Sequence, residues 1–317
     1  MNQRQFRSMI TLTALAVLVL SAITMGAEVE KVVIQSPPTV GALPLLWMKA
    51  SGVLTDQVEF EFVISDDHQR GLALISQKEI DMLITGVNVG VNAYNKGINL
   101  RLVNTNIWGI DYLLTNFPVE QWKDLEGKSL SVPLQGGPLD FLARYFLLNN
   151  GADPEKVQFV ILPSNNGART FQLGKLDAII LPEPMVTITL QNYADAVLAF
   201  DLQAEWAKLH DGDDRIPFVG LFVRGDFADK HHKLVETINQ YYQEGINWVK
   251  ENPAGAAALA SEYFGQPAAI VQQSLARINL NLYPDDQAKL IETYCQEVLQ
   301  LYPEMIGGKL PDAQFYF

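Results

Sequence analysis

The chain has very few of the side chains that hold metals or form disulfides. Its 317 residues include one cysteine and four histidines, so no internal disulfide can form. Neither the HExxH nor the CxxC spacing of a zinc site occurs. We therefore expect no metal site and no bound cofactor. Cys295 lies in the helical pattern "LIETYCQEVLQLY", which predicts a buried structural thiol.

The sequence also lacks three motifs that mark common classes of enzyme. The GxGxxG fingerprint of dinucleotide-binding proteins and the GxxxxGK[ST] loop of NTPases are absent, and no serine lies in a GxSxG elbow. These absences argue against NAD-dependent dehydrogenases, P-loop NTPases and α/β-hydrolases. They do not exclude an enzyme of another class, but no catalytic set of residues is evident.

Basic residues are the minority among the charged ones. The 23 Lys and Arg against 36 Asp and Glu give a net charge of -13, which argues against nucleic acid or an anionic membrane as the main partner. A small ligand feels only its local pocket, so the net charge does not restrict it. A hydrophobic content of 48% with 19% charged residues allows a sizeable core. The length suggests two domains or one large one.

An apolar run lies near the N-terminus. Arg4 and Arg7 precede an apolar stretch that ends at about Ile23, and small residues follow it. This pattern predicts a secretory signal peptide over residues 1–27, since the run is short for a membrane span of about 20 residues. An uncleaved N-terminal anchor is the alternative. No cysteine follows the run as a lipid attachment site, so we expect an unlipidated protein of the periplasm.

The exported protein should therefore begin near Glu28 and stay in the soluble fraction. Removing residues 1–27 deletes two arginines and no acidic residue, so the mature chain is more acidic still. Intact-mass measurement on periplasmic material tests this prediction. A full-length species that pellets with membranes would contradict it and favour the uncleaved anchor.

Strands and helices alternate along most of the chain. Segments such as "KVVIQS", "VEFEFVIS" and "DMLITG" predict strands, and the segments between them predict helices. This alternation is typical of an α/β fold with helices on both faces of a sheet. It occurs once before and once after about residue 115, and only helices follow a long strand that ends at Arg224. We therefore expect two α/β units, with the last helices covering the first unit.

The segment "QGGPLDFLARYF" places a nearly bare backbone at the start of a helix. Gly137 suits the cap position, Pro138 the first helical position and Asp140 the first turn, where the helix dipole favours negative charge. Helix physics alone therefore explains the segment as a tight turn. The alternative is a ligand site, because the turn follows the strand "KSLSVPL" and ligands of open α/β sheets bind beyond the carboxyl ends of strands. Gly136 and Gly137 would then let a ligand approach the backbone closely.

Three segments carry a resemblance to a known family. The sequence "NNGADPEKVQFVIL", followed by "FQLGKLDAIILPEP", resembles the substrate-binding proteins of ABC importers in the nitrate/sulfonate/taurine (NitT/TauT) group. The segment "PTVGALPLLWMKASGVLTD" resembles the first helix of that group. The resemblance covers nearly the whole mature chain, and its most specific part is the Gly-x-Leu-Asp-Ala step with the Glu-Pro turn after it.

The resemblance implies the two-lobed periplasmic-binding-protein fold of type II, an α/β fold in which each lobe is a sheet flanked by helices. Residues 28–112 and 218–317 would form the first lobe, and residues 113–217 the second. Two hinge strands near residues 110–116 and 215–222 would join the lobes, and a solute would bind in the cleft between them.

The resemblance also places candidate ligand-binding residues at the cleft by position. They are Ser36, Thr39 and Gly41 in the first loop, Thr85 and Asn88 after the third strand, Trp108 and Tyr112 near the crossover, Gly136, Gly137, Pro138 and Leu139 at the bare turn, and Glu183 between two prolines. The matching loops contain no lysine or arginine, although family members that take oxyanions often have a cation or several hydroxyls there. Helix N-termini can hold an anion without a cation, whereas Trp108 and Tyr112 could stack a neutral heterocycle. Both kinds of solute stay open.

The function that the resemblance implies is solute capture for import, without a chemical step. An extracytoplasmic monomer would deliver a nitrate-, sulfonate- or taurine-like solute to the permease and ATPase subunits of an ABC importer, and it would bind no nucleic acid. One alternative is a binder of a neutral heterocycle such as a pyrimidine or a riboflavin-type precursor. Another is an enzyme on the same fold that resembles pyrimidine-precursor synthases, which would need reactive histidine or cysteine residues in the cleft. A third is a sensory module that presents its ligand to a receptor.

Overall fold

The computed structural model describes residues 30–317, so the predicted signal peptide lies outside the described residues. Ten strands are found in this part of the chain. They are β1 (Glu30–Ser36), β2 (Val58–Ile64), β3 (Met82–Gly86), β4 (Leu100–Ile107), β5 (Asp111–Thr115), β6 (Ser129–Val132), β7 (Gln158–Ile161), β8 (Ala178–Pro182), β9 (Val197–Asp201) and β10 (Val219–Arg224).

The strands form two five-stranded sheets with the same plan. The first sheet has the order β2-β1-β3-β10-β4 and the second has the order β7-β6-β8-β5-β9. In each sheet three neighbouring strands are parallel, and the strand that enters from the other half of the chain is antiparallel to its neighbours. Parallel strands need helical crossovers, which explains the alternation seen in the sequence. The predicted two-lobed α/β fold is confirmed.

Helices cover both sheets. They are α1 (Leu43–Ser51), α2 (His68–Ser76), α3 (Val87–Asn95), α4 (Pro138–Asn149), α5 (Ser164–Gln172), α6 (Met185–Asn192), α7 (Leu202–Leu209), α8 (Gly225–Lys230), α9 (His232–Glu251), α10 (Pro253–Phe264), α11 (Ala268–Ser274) and α12 (Gln287–Leu301). Pro138 and Pro253 are the first residues of α4 and α10, where the missing N–H of proline removes no helical hydrogen bond.

Two short segments carry the chain between the sheets, and they lie side by side. The first leads from β4 to β5, and the second leads from α7 to β10. The backbone N–H of Ile216 donates to the carbonyl of Trp108 at 2.9 Å, and that of Phe218 donates to Ile107 at 3.0 Å. Tyr112 lies on β5, which pairs with β8 in the second sheet, whereas the predicted limits put Tyr112 at the end of the first lobe. The lobe limits that we predict from the sequence stay a prediction.

The C-terminal helices contact both lobes. Helix α9 packs against α1 of the first lobe. Helix α12 reaches the second lobe, because the ring of Tyr294 lies 5.3 Å from that of Phe141 and 6.0 Å from that of Trp206. The turn Pro303–Ile306 then packs on α3. Most of the apolar residues of both lobes therefore belong to one continuous core.

Cys295 is buried in α12, as the sequence predicts. Burial raises the pKa of its thiol to about 12, so the reactive thiolate form is scarce at neutral pH. None of the helices within residues 30–317 is both long enough and apolar enough to cross a membrane. In the same range, no three His, Cys, Asp or Glu side chains form a group that could hold a metal ion.

Candidate functional site between the two lobes

Four strands of the two sheets end close to the start of a helical turn. In the first lobe, β1 leads to the turn Val40–Ala42 and β3 leads directly into α3. In the second lobe, β6 leads to α4 and β8 leads to α6. Helix N-termini carry backbone N–H groups without helical partners, and ligands of α/β sheets bind at such strand ends. This arrangement puts polar backbone groups of both lobes at the strand ends.

The lobes touch at a small contact that we call the interlobe seam, formed by Gly86, Asn88, Gly136 and Pro138. The amide Nδ2 of Asn88 donates to the carbonyl of Gly136 at 3.3 Å. A Cβ atom on Gly86 would lie 2.9 Å from Cγ of Pro138, so a glycine is needed for this approach. Asn88 is fully buried, and its Oδ1 atom has no hydrogen-bond partner within the described part of the chain. The seam therefore holds a buried acceptor that can still form a hydrogen bond.

The bare turn before α4 is held by its own helix. Gly136 has a φ of +71°, a conformation that favours glycine. Its N–H donates to Oδ2 of Asp140 at 2.9 Å, and Oδ1 of Asp140 accepts from Nε of Arg144 at 2.8 Å. Asp140 thus does more than complement the helix dipole, because its carboxylate already occupies the amide of Gly136. A Cβ on Gly137 would lie 3.1 Å from atoms of Leu134 in the same turn.

Trp108 and Tyr112 lie inside the packing of the crossover region. Trp108 is fully buried, and its Nε1 donates to the carbonyls of Thr105 at 3.2 Å and Asn281 at 3.1 Å. Its ring packs edge-on against Tyr283 at 5.3 Å. The hydroxyl of Tyr112 donates to the carbonyl of Arg277 at 2.8 Å. In this conformation both polar groups are bound to the protein itself.

Glu183 is buried and fully engaged. Its Oε2 atom accepts from the backbone N–H of Thr187 at 3.1 Å and from the Thr187 hydroxyl at 2.8 Å. Its Oε1 atom accepts from Nε of Arg277 at 2.6 Å, and Nη2 of Arg277 forms an ion pair with the same carboxylate. Nη2 also donates to the hydroxyl of Thr187 at 2.6 Å. The sequence offers no local signal for Arg277, because it lies 94 residues away along the chain.

The remaining predicted residues lie within their own lobes. The hydroxyl of Ser36 donates to the carbonyl of Pro37 at 2.7 Å, and the carbonyl of Gly41 accepts from the hydroxyl of Tyr242. Thr39 is half-buried at the start of the turn after β1, while Thr85 and Leu139 are buried. Beneath the first loop, Oδ1 of Asn106 is a second buried acceptor without a partner in residues 30–317.

A large cavity lies beside the seam, not at the strand ends. Its volume is about 870 Å³. One wall comes from the sides of α2 and α3, and the other comes from residues 134–136, the start of α4 and the turn after α12. Of the predicted site residues, only Gly136 lines this cavity. The structure therefore brings Asn88, Gly136 and Pro138 together and groups Trp108, Tyr112 and Glu183 around the Arg277 segment. Gly41 of the first loop lies against Asn106, next to the crossover.

The sheets, the crossovers and the strand-end helices define the type II periplasmic-binding-protein fold. Comparison with known proteins agrees with this assignment. The NMT1-like family model matches residues 114–262. The nitrate/nitrite binding protein NrtA of Synechococcus elongatus is 30% identical over 135 residues, which cover 42% of this chain and 28% of the relative. The match thus spans well under half of the curated relative's length.

Solved structures extend the likeness to the whole described fold. The periplasmic aliphatic sulphonate binding protein SsuA of Escherichia coli matches with a TM-score of 0.77 at 17% identity, over 92% of each chain. An ABC transporter structure from Parabacteroides distasonis matches with a TM-score of 0.75 at 20% identity, over 90% of this chain and 98% of that one. The predicted resemblance to substrate-binding proteins of the nitrate/sulfonate/taurine group is thereby confirmed.

Proposed function

We propose that this protein is the extracytoplasmic solute-binding component of an ABC importer and that a small solute binds where the lobes meet at the strand ends. The observation that carries the proposal is the position of Asn88. Its side chain bonds to the backbone of the other lobe, and its buried Oδ1 keeps a free acceptor position. A buried polar atom without a partner is costly, so a solute that donates a hydrogen bond there would stabilise the closed arrangement.

Binding would act by lobe closure, without making or breaking a covalent bond. A solute that contacts both lobes favours the closed state by its difference in affinity for the closed and open states. The closed protein would then dock on permease and ATPase subunits in the membrane. The buried Cys295, with its raised pKa, is poorly suited to the nucleophilic chemistry that the rival enzyme would need.

Two classes of solute are the candidates. The names of the relatives favour an oxyanion, since one binds nitrate and nitrite and another binds aliphatic sulphonates. The local charges favour a neutral solute. The carboxylate of Asp140 occupies the amide of Gly136 at the start of α4, and the charge of Arg277 is matched by Glu183. We therefore keep both an oxyanion and a neutral heterocycle as candidate solutes, and both classes should be tested.

A thermal-shift screen against nitrate, sulfonates, bicarbonate, riboflavin and pyrimidines tests the function. A solute at 100 times its Kd stabilises a protein by about 2.7 kcal/mol, which corresponds to roughly 4 °C in a chain of this size. We expect one class to give such a shift, and mass spectrometry should recover that solute unchanged. Recovery of a chemically altered compound would contradict a binding protein and favour the enzyme.

Replacing Asn88 by alanine should weaken binding of the solute found in this screen by about tenfold, because the interlobe hydrogen bond and the spare acceptor are both lost. Asn92→Ala is the matched control, because Asn92 lies one turn further along α3 and donates to the carbonyl of Glu304 at 2.8 Å. Asn92 also lines the 870 Å³ cavity. Affinities are measured by calorimetric titration. If Asn92→Ala weakens solute binding and Asn88→Ala does not, the solute binds in that cavity instead of at the seam.

A further inference from the structure

A short C-terminal turn, Leu275–Arg277, lies between the lobes. After it, the backbone runs beside the crossover from β4 to β5. The backbone N–H of Trp108 donates to the carbonyl of Asn279 at 2.9 Å, and the backbone N–H of Asn279 donates to the carbonyl of Gly109 at 2.8 Å. Before the turn, helix α11 packs against helix α10, and α10 contacts α1 of the first lobe. The turn is therefore anchored on the first-lobe side of the molecule.

From this anchor the turn reaches into the second lobe. Its carbonyl at Arg277 accepts from the hydroxyl of Tyr112 on β5. Its guanidinium binds Glu183, just after β8, and Thr187 in the first turn of α6. Nearby, Gln191 on α6 donates to Gln273 on α11 at 2.9 Å. A small set of polar contacts thus joins this turn to one face of the second sheet.

Burial makes the charged contact of this set stronger than the others. The side chain of Glu183 has no exposed surface, while that of Arg277 is 32% exposed. A desolvated carboxylate is strongly disfavoured unless it is paired and hydrogen-bonded. If the lobes move apart so that the turn leaves β8, Arg277 regains water but Glu183 loses its only cationic contact in the described chain. Losing this pairing opposes opening, so the contact favours the closed arrangement.

We propose that the Arg277–Glu183 pair is a latch that holds the lobes closed and sets how easily they open. The proposal rests on the proposed function only in that lobe closure is the binding step. Arg277 then acts as a positioning residue for closure. It tunes the affinity for the solute without contacting the solute, because a smaller fraction of binding-competent closed protein lowers apparent affinity in proportion.

Pulsed EPR distances in the protein without solute test the latch. Spin labels at Glu59→Cys on β2 and Lys175→Cys before β8 lie on exposed positions of the two lobes, and the buried Cys295 stays unlabelled. Arg277→Gln should shift the distance distribution to longer values, with the ratio of open to closed molecules rising about tenfold. Arg101→Gln is the control, since its ion pair with Asp229 at 2.8 Å lies within the first lobe.

Thr187→Ala keeps both charges and removes only the hydroxyl that Glu183 and Arg277 share, so it should shift the same distribution by a smaller amount. This variant carries the test if Arg277→Gln does not fold. Distributions of Arg277→Gln or Thr187→Ala that match that of Arg101→Gln would overturn the latch. Because no solute is present, a failed solute screen would leave this result standing, and a successful screen would not rescue a failed latch.

Discussion

Valine at Gly86 should weaken solute binding by about ten- to a hundredfold while the protein stays folded. The backbone of Gly86 has a φ of -60° and a ψ of 140°, which any residue adopts, so the substitution brings no backbone strain. Its side chain would instead meet Pro138, because even a Cβ lies 2.9 Å from Cγ of that proline. Overpacking of this kind costs about 1–3 kcal/mol. The closest contact is the one across the seam, so most of the cost should fall on closure and appear in the Kd.

Pro138→Ala supplies the compensating change. Alanine removes the ring that Gly86→Val meets and is an excellent helix former at the start of α4. The double variant Gly86→Val/Pro138→Ala should therefore recover most of the affinity, and titration calorimetry on all four proteins gives the coupling. Equal affinities of Gly86→Val and the unmodified protein would show that the seam is not part of the closed, solute-bound state. Gly137 is a poorer test, because its Cβ would meet Leu134 of the same turn.

The sequence could predict the architecture because the signals for it are local. Periods of apolar residues and the prolines and glycines at helix ends specify elements a few residues at a time. The parallel strands then require helical crossovers, which leaves few ways to arrange the two halves. The helix start at Pro138 and the buried thiol at Cys295 were both predictable on these grounds.

Contacts of the candidate site between residues far apart in the sequence could not be predicted. The strand-end helices and Asn88 follow from the pattern, but the partner of Glu183 is a residue near the other end of the chain. Likewise, the sequence predicts Asp140 in the first turn of α4, but the hydrogen bond that its carboxylate accepts from the N–H of Gly136 is evident only in the structure. The sequence pattern predicts that the last helices cover the first lobe, but the contact of α12 with Phe141 of the second lobe depends on packing that no local pattern encodes.

Asp111 is the clearest example of a residue that sequence reasoning passes over. It is the first residue of β5, directly after the crossover, and it is 1% exposed. Neither carboxylate oxygen has a hydrogen-bond partner within residues 30–317. Burial, with a smaller contribution from the nearby Asp201, raises the pKa of Asp111 well above its ordinary value. We therefore expect this carboxyl group to keep its proton in the folded protein at pH values where it is ionised in the unfolded chain.

The sign of the resulting pH dependence follows from linkage. Below about pH 4 the group is protonated in both states and adds no pH dependence. As the pH rises above that value, the unfolded chain releases the proton while the folded protein retains it, so each pH unit costs about 1.4 kcal/mol of stability until the folded group also ionises. Asn has the same shape and no proton to lose, so Asp111→Asn removes this cost.

Asp111→Asn should accordingly raise the melting temperature, and the gain should be larger at pH 7.5 than at pH 5. At the higher pH we expect a gain of more than about 1 kcal/mol, and each kcal/mol corresponds to roughly 1.5–2 °C in a chain of this size. Asp213→Asn is the control with the opposite sign, because the hydrogen bond from Arg215 lowers the pKa of Asp213. That variant should lose stability by a similar amount at pH 7.5 and at pH 5, because both values lie above the ordinary pKa of an aspartate, about 3.9. Melting curves at the two pH values decide the matter, since a change in stability that is the same at both would show that the pKa of Asp111 is not raised in the folded protein.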